Sequence, residues 1–299
     1  MISHADRYWF ALRGAQQLDL ATRFDEATRA RGLHLLALKG VAIAEELYGG
    51  FENRPMADID FLVVETSRFR EAVATARSLG LVETDASDHA LVFKEPASGV
   101  VLELHLSLIA CPGLFPVDPA SLWSRRKSVT GGGGFRLADE DFIVHLALHT
   151  AFQHGFAANV YHYGDFTRAL HAWRSSASSL ETRSREWGAA AALGAMSVAS
   201  LRLGTVESAA RPVLESLTRL CPRPLASWIT SEEDFPPSMR LTTLAFVRYH
   251  LAPSTWRFLT RTLLPRPLPG RTLPRVAPLR RVASLVETGF RGALGKGRR

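Results

Sequence analysis

Hydrophobic residues follow two regimes along this chain. As far as about residue 134 they come in short continuous or alternating runs, and from Asp139 to about His250 they recur at helical spacing. In the first regime, a loose stripe of Leu12, Leu18, Leu20 and Phe24 predicts an opening helix from about Asp6 to Ala30. Leu33 to Leu38 is a short apolar strand, and Val41 to Leu47 has the pattern of a helix beginning just after Gly40. Phe61-Leu62-Val63-Val64 is apolar without alternation, as in a strand buried inside a sheet. Arg68 to Leu79 is a helix stopped by Gly80. Two strands around Ala90–Phe93 and Val100–Leu108, separated by Glu95-Pro-Ala-Ser-Gly99, have the look of a hairpin.

In the second regime, Asp139 suits a helix N-cap, and Glu140 and Asp141 in the first turn complement the helix dipole. Gly188 to Leu201, rich in small residues, is a packed helix, whereas polar, serine-rich Ser175 to Arg185 is expected to be an exposed connection. The run Gly131 to Gly134 lacks the lysine and following helix of a phosphate loop, so a flexible turn or domain linker is expected. These elements predict an α+β fold: a small mixed β-sheet domain with helices over residues 1–134, a mostly α-helical domain over 135–250, and a basic, proline-containing tail over 251–299.

Polar residues that interrupt the apolar runs carry the candidate chemistry. Asp58 and Asp60 flank Ile59 at the start of the buried strand, and residues two apart on a strand point to one face. Two crowded carboxylates repel each other and need cations; hard oxygen ligands of this kind suit Mg²⁺. In Val101-Leu102-Glu103-Leu104-His105-Leu106, alternation puts the leucines on one face and Glu103 and His105 on the other. A carboxylate in so apolar a strand is costly unless it is paired or binds a metal. If that strand lies beside the Asp58 strand, three acids converge, as phosphoryl-transfer chemistry requires. Upstream, Gly40 at a strand-to-helix turn lets backbone N–H groups approach an anion, Lys39 adds a point charge, and Arg54 can contact a phosphate bidentately.

Leu38-Lys39-Gly40, Tyr48, Arg54, Asp58-Ile59-Asp60-Phe61-Leu62-Val63, Glu103-Leu104-His105, Leu137-Ala138-Asp139-Glu140-Asp141, His145, His149 and Asp165 together resemble a largely uncharacterised bacterial nucleotidyltransferase family of the DNA polymerase β-type superfamily. The resemblance covers roughly residues 30 to 170. It implies transfer of a nucleoside monophosphate from a nucleoside triphosphate, with ATP the expected donor, to a hydroxyl of an acceptor. It also implies two divalent metals, Mg²⁺ or Mn²⁺, held by Asp58, Asp60 and Glu103. Lys39, Gly40 and Arg54 would contact the nucleotide, and His105, His149 and Asp165 would lie toward the acceptor: a small molecule, peptide, protein or RNA. One departure is plain. Many superfamily members open the phosphate-contacting helix with Gly-Ser or Gly-Gly, whereas here Val41 follows Gly40, and seventeen residues separate Gly40 from Asp58. The alternative expectation is a catalytically retired fold that binds nucleotide or RNA as a regulator.

Composition narrows the setting. At 299 residues, 46% hydrophobic and 22% charged, the chain has the makeup of a folded protein of two moderate domains. Asp6, Arg7 and Arg13 interrupt any signal-peptide pattern, and no apolar run reaches the roughly 18 residues of a membrane span. Cys111 and Cys221 have no metal-ligand spacing, and a cytoplasmic protein is expected. His145 and His149 share a helix face, but the glutamate of a His-Glu-x-x-His zinc site is absent; His154 and His162 follow nearby. Residues 251–299 hold eleven Arg or Lys and one acid, Glu287, whereas the whole chain is only +7. That tail is suited to an anionic partner such as RNA, an acidic protein or a membrane surface.

Overall fold

The computed structural model describes residues 4–263, apart from Gly133, Ala158, Asn159, Thr205 and residues 232–240. The basic tail beyond Leu263 lies outside the described residues. The chain divides into two units. The first comprises the described residues up to Ala110 together with Asp118–Phe142, and the second comprises Cys111–Val117 and the described residues from Ile143 onward.

In chain order the first unit carries α1 (His4–Arg29), β1 (Leu35–Leu38), α2 (Lys39–Tyr48), β2 (Ile59–Val63), α3 (Phe69–Ser78), β3 (Val82–Ala86), β4 (Ala90–Lys94), β5 (Val101–His105), α4 (Pro119–Ser124), β6 (Lys127–Ser128), β7 (Phe135–Arg136) and the start of α5 (Asp139–Leu148). The strands form one mixed sheet in the order β3-β4-β5-β2-β1-β7-β6. β2 is buried along its whole length, as its unbroken apolar run requires, and it pairs antiparallel with β1 and parallel with β5. Phe24 of α1 meets Phe61 of β2 with ring centroids 5.7 Å apart, so α1 covers the sheet face from which Phe61 projects.

Several local expectations are corrected. α2 begins at Lys39 rather than after Gly40, and a 3₁₀ turn over Thr66–Arg68 precedes α3. β3 carries no apolar alternation and is mostly exposed, because it is an edge strand held by its pairing with β4. Of the two readings of the glycine-rich segment, the turn is the one found: the chain turns between β6 and β7, and Val129 N donates to Gly134 O at 3.0 Å.

The second unit is helical: the rest of α5, a π-helical turn over His149–Gln153, α6 (Val160–Trp173), α7 (Ala177–Glu186), α8 (Ala190–Leu203), α9 (Arg211–Leu217), α10 (Arg223–Ser231), α11 (Leu241–Leu251) and α12 (Thr255–Leu263). The serine-rich segment read as an exposed connection is helix α7. Ser176 caps it, accepting from Ser179 N at 3.1 Å, while Leu180 and Ser184 turn inward. Serine there serves as cap and helix surface, which composition alone does not separate from a loop. Leu193, Met196, Leu214, Leu217, Leu225 and Ile229 are buried in this unit's core. No helix among the described residues is long and apolar enough to cross a membrane.

Candidate active site

Register brings the acidic residues together. Asp60 lies opposite Glu103 in the parallel β2–β5 pair and opposite Leu38 in the antiparallel β1–β2 pair. Residues opposed in register share a face, so Asp60 and Glu103 project together from the side of the sheet away from Phe61. His105, two residues beyond Glu103, follows on the same face. Asp58 stands just before β2 and is half-buried.

Lys39 enters this cluster from the β1-to-α2 turn. It holds a φ of +50°, a left-handed conformation that is uncommon for a lysine and costs about 1 kcal/mol or more. Its Nζ donates to Asp60 Oδ1 at 2.6 Å, with the two side chains 14% and 2% exposed. The strained backbone thus delivers an ammonium to a buried carboxylate. His105 Nε2 lies 2.9 Å from the same Oδ1 and 3.3 Å from Glu103 Oε2. An ionised carboxylate only accepts, so Nε2 carries the proton.

Electrostatics separate the two aspartates. Burial pushes Asp60 up, but Lys39 and His105 more than offset it, and its carboxyl is held well below the usual carboxylate range. Asp58 goes the other way: burial first, then the Asp60 and Glu103 charges, push it up to about 7 in spite of Lys39. Burial works against a charge on Lys39, yet Asp60, Asp58 and Glu103 keep its pKa raised. His105 is likewise drawn down by burial and carried up by its bonds to Asp60 and Glu103, with a net rise. Ligand atoms of Asp60, Glu103 and His105 all lie within 4.8 Å of one another, close enough to face one cation.

The remaining expected residues are placed as follows. Gly40 is buried in the first turn of α2, and a Cβ there would stand 2.6 Å from Met56 Cγ and Sδ and 3.5 Å from Arg54 Nη1. The missing side chain therefore lets the 54–56 segment lie against the helix start. Gln17 of α1 holds that segment from the other side, donating to Met56 O at 3.1 Å. Arg54 is buried, and its Nη1 donates to Pro55 O at 2.6 Å. His149 and Asp165 are buried in the helical unit. Sequence reading passed over His89, whose ring lies 5.5 Å from that of His105 and whose pKa burial draws down. The hairpin pairing of Ala90 with His105 was its signal, since the preceding residue then stands at the end of the acidic strand.

A mixed sheet with paired acids on adjacent strands and a cation at a strand-to-helix turn defines an α+β protein of the nucleotidyltransferase type. The family described as Uncharacterised nucleotidyltransferase matches residues 4–203, and the chain belongs to it. No curated protein matches the chain. Among solved structures, the crystal structure of ANT(2'')-Ia in complex with adenylyl-2''-tobramycin aligns at 17% identity and a TM-score of 0.42, covering 57% of this chain and 98% of that one. The solution structure of antibiotic-resistance factor ANT(2'')-Ia aligns at 18% identity with the same TM-score, covering 57% of this chain and 94% of that one.

Proposed function

We propose that the first unit transfers a nucleoside monophosphate from a nucleoside triphosphate, ATP by preference, to a hydroxyl of a small molecule, peptide, protein or RNA. The observation that carries this reading is the β2–β5 register, which sets Asp60 beside Glu103 with the Lys39 ammonium on the same carboxylate. Asp58, Asp60 and Glu103 would hold one or two Mg²⁺ or Mn²⁺ ions, which when bound neutralise phosphate charge in the transition state. The donor set fits such ions: the three carboxylates supply hard oxygens, and Asp58, pushed up to about 7 by burial first and by the Asp60 and Glu103 charges after it, is a carboxyl that a bound cation would draw back to its ionised form.

The chain's own groups then divide the work. Lys39, Arg54 and the backbone at Gly40 bind the triphosphate at the α2 N-terminus. Glu103 accepts the proton of the acceptor hydroxyl as the bond from that oxygen to the α-phosphorus forms, the bond to the bridging oxygen breaks, and pyrophosphate leaves. His105 holds Glu103 and Asp60 in position at the acceptor end. A triphosphate donor argues for the cytoplasm as the place of reaction.

One observation favours a second reading. Asp60 Oδ1 is already engaged by both Lys39 and His105, as in a fold that binds nucleotide or RNA without transferring anything. A labelling experiment separates the two. Each α-labelled nucleoside triphosphate is incubated with the protein, Mg²⁺ or Mn²⁺ and a cell extract, alongside Asp60→Asn. Label passed to an extract component by the parent alone is the expected result. Nucleotide-dependent thermal stabilisation without any transfer, unchanged by chelator, would establish the retired fold instead.

A further inference from the structure

The helical unit contains a second cluster of metal-ligating side chains, independent of the acidic site. His149, His154 and His162 each offer a ring nitrogen, and these three atoms all lie within 4.8 Å of one another. The rings are close: 4.6 Å between the centroids of His149 and His154, 5.1 Å between His154 and His162, and 5.5 Å between His149 and His162. His149 is buried and the other two are half-buried, which leaves the cluster reachable from solvent.

The backbone explains how such residues meet. In an α-helix, residues five apart point about 140° away from each other, because each residue advances the helix by about 100°. Residues 149–153 instead form a π-helical turn, closed by His154 N donating to His149 O at 3.3 Å. The wider turn swings His154 back over His149. π-turns are rare and occur mostly at functional sites. After it the chain reverses through Gly155 and Phe156, both with positive φ, at +58° and +73°. For a phenylalanine that conformation is strained, and Tyr163 Oη, donating to Phe156 O at 2.9 Å, helps to hold it. The reversal brings the first turn of α6, with His162, onto the other two rings. Arg248 of α11 satisfies carbonyls of the widened turn, donating to Phe152 O at 2.9 Å and Gln153 O at 3.2 Å.

We infer that His149, His154 and His162 form a binding site for a divalent transition-metal ion, zinc foremost, that fastens the π-turn to the start of α6. Three imidazoles suit Zn²⁺, Co²⁺, Ni²⁺ and Cu²⁺ and have little affinity for Mg²⁺, so this site and a hard-oxygen site select different ions. Zn–N bonds of about 2.0–2.1 Å put tetrahedral ligand nitrogens about 3.4 Å apart, and small side-chain rotations close the cluster to that spacing. Three protein ligands leave a fourth position for water or another ligand. The assignment gives His149 a task different from contact with an acceptor, and it stands whether or not the acidic site transfers nucleotides.

The test uses the parent full chain with Mg²⁺ in excess, so that the hard-oxygen site is occupied and uptake by the imidazoles is read separately. Co²⁺ is added and followed by its visible absorption, then displaced with Zn²⁺; further Mg²⁺ is the control. One equivalent should bind with the intense bands of a four-coordinate ion, and Zn²⁺ but not further Mg²⁺ should raise the melting temperature. His162→Gln, on a half-buried helix position, should keep the helical circular dichroism and weaken Co²⁺ binding by more than about 100-fold, beyond the loss of an outer-shell partner. His154→Gln should do the same. Absence of Co²⁺ uptake, or uptake that both glutamine variants retain at the parent affinity, overturns the assignment.

Discussion

At the scale of single residues, the Lys39–Asp60 pair sets the balance of the acidic site. Removing one member of a buried ion pair leaves the other uncompensated. Lys39→Met keeps a side chain of similar length and removes the ammonium together with its hydrogen bond to Asp60, so it should destabilise the protein by about 3 kcal/mol, the lower end for such pairs because His105 still faces Asp60. The Lys39→Met, Asp60→Asn double variant should recover part of that loss in urea titrations; additive losses would show that the pair is not coupled. Asp58 gives a pH signature. It titrates at about 7 in the fold and about 3.9 in an unfolded chain, so between those values the folded protein holds a proton that the unfolded one lacks. Without metal, stability should therefore fall as pH rises from about 4 to about 7. Melts in excess chelator should show that decline, flattened in Asp58→Asn; equal slopes would remove Asp58 as the cause. Asp60, depressed instead, contributes stability at neutral pH that is lost only in stronger acid. Glu103→Gln should leave triphosphate affinity nearly intact while abolishing transfer, and a variant turning over at the parent rate would refute its part in acceptor activation. Much of this cluster was legible, because strand alternation alone put Asp58 with Asp60 and Glu103 with His105. The positive φ of Lys39 was not, since a lysine does not announce that conformation as a glycine or an asparagine does.

At the scale of elements, close approach decides which glycines matter. In α8, a Cβ on Gly194 would sit 2.3 Å from Cys221 N and 2.5 Å from Leu220 C, and backbone cannot swing aside as a side chain can. Gly194→Ala should cost about 2–3 kcal/mol in denaturant titrations, within the range for overpacking. Gly40→Ala, which meets side-chain atoms of Met56 and Arg54 and no backbone within the nearest three contacts, should cost less. A smaller loss at Gly194 than at Gly40 would contradict this ranking. The unbroken apolar run of β2 and the alternation of β5 could be read directly, and even the loose stripe of α1 sufficed to mark a helix. The two-residue strands β6 and β7 could not, because they exist only through pairing: Ala37 of β1 with Arg136, and Lys127 with Arg136 across the hairpin. The histidine cluster escaped for a related reason, since His149 and His154 come together only on a π-turn and His162 joins them from α6 after a chain reversal. Ser175–Arg185 was misread because a capped polar helix and a polar loop share a composition.

At the scale of the whole molecule, charge is segregated along the chain. Residues 264–299 carry nine Arg or Lys and one acid, so removing them takes the net charge from +7 to −1. The cut falls after α12 and so keeps Phe258, whose ring lies 6.4 Å from that of Phe152. The truncated chain should lose salt-dependent retention on a polyanion resin while keeping nucleotide-induced thermal stabilisation; equal elution of both chains would exclude the tail as an anion-binding element. During synthesis the order of the sheet imposes a delay. Ala37 leaves the ribosome well before Arg136, its parallel neighbour, and at about 5–20 residues per second the free side of β1 waits roughly 5–20 s for β7. That side belongs to Leu35-Leu36-Ala37-Leu38, an apolar edge able to recruit strands from other nascent chains. Growth at low temperature or with added chaperone should raise the soluble yield, because the hazard lies in the interval before the sheet is closed on that side.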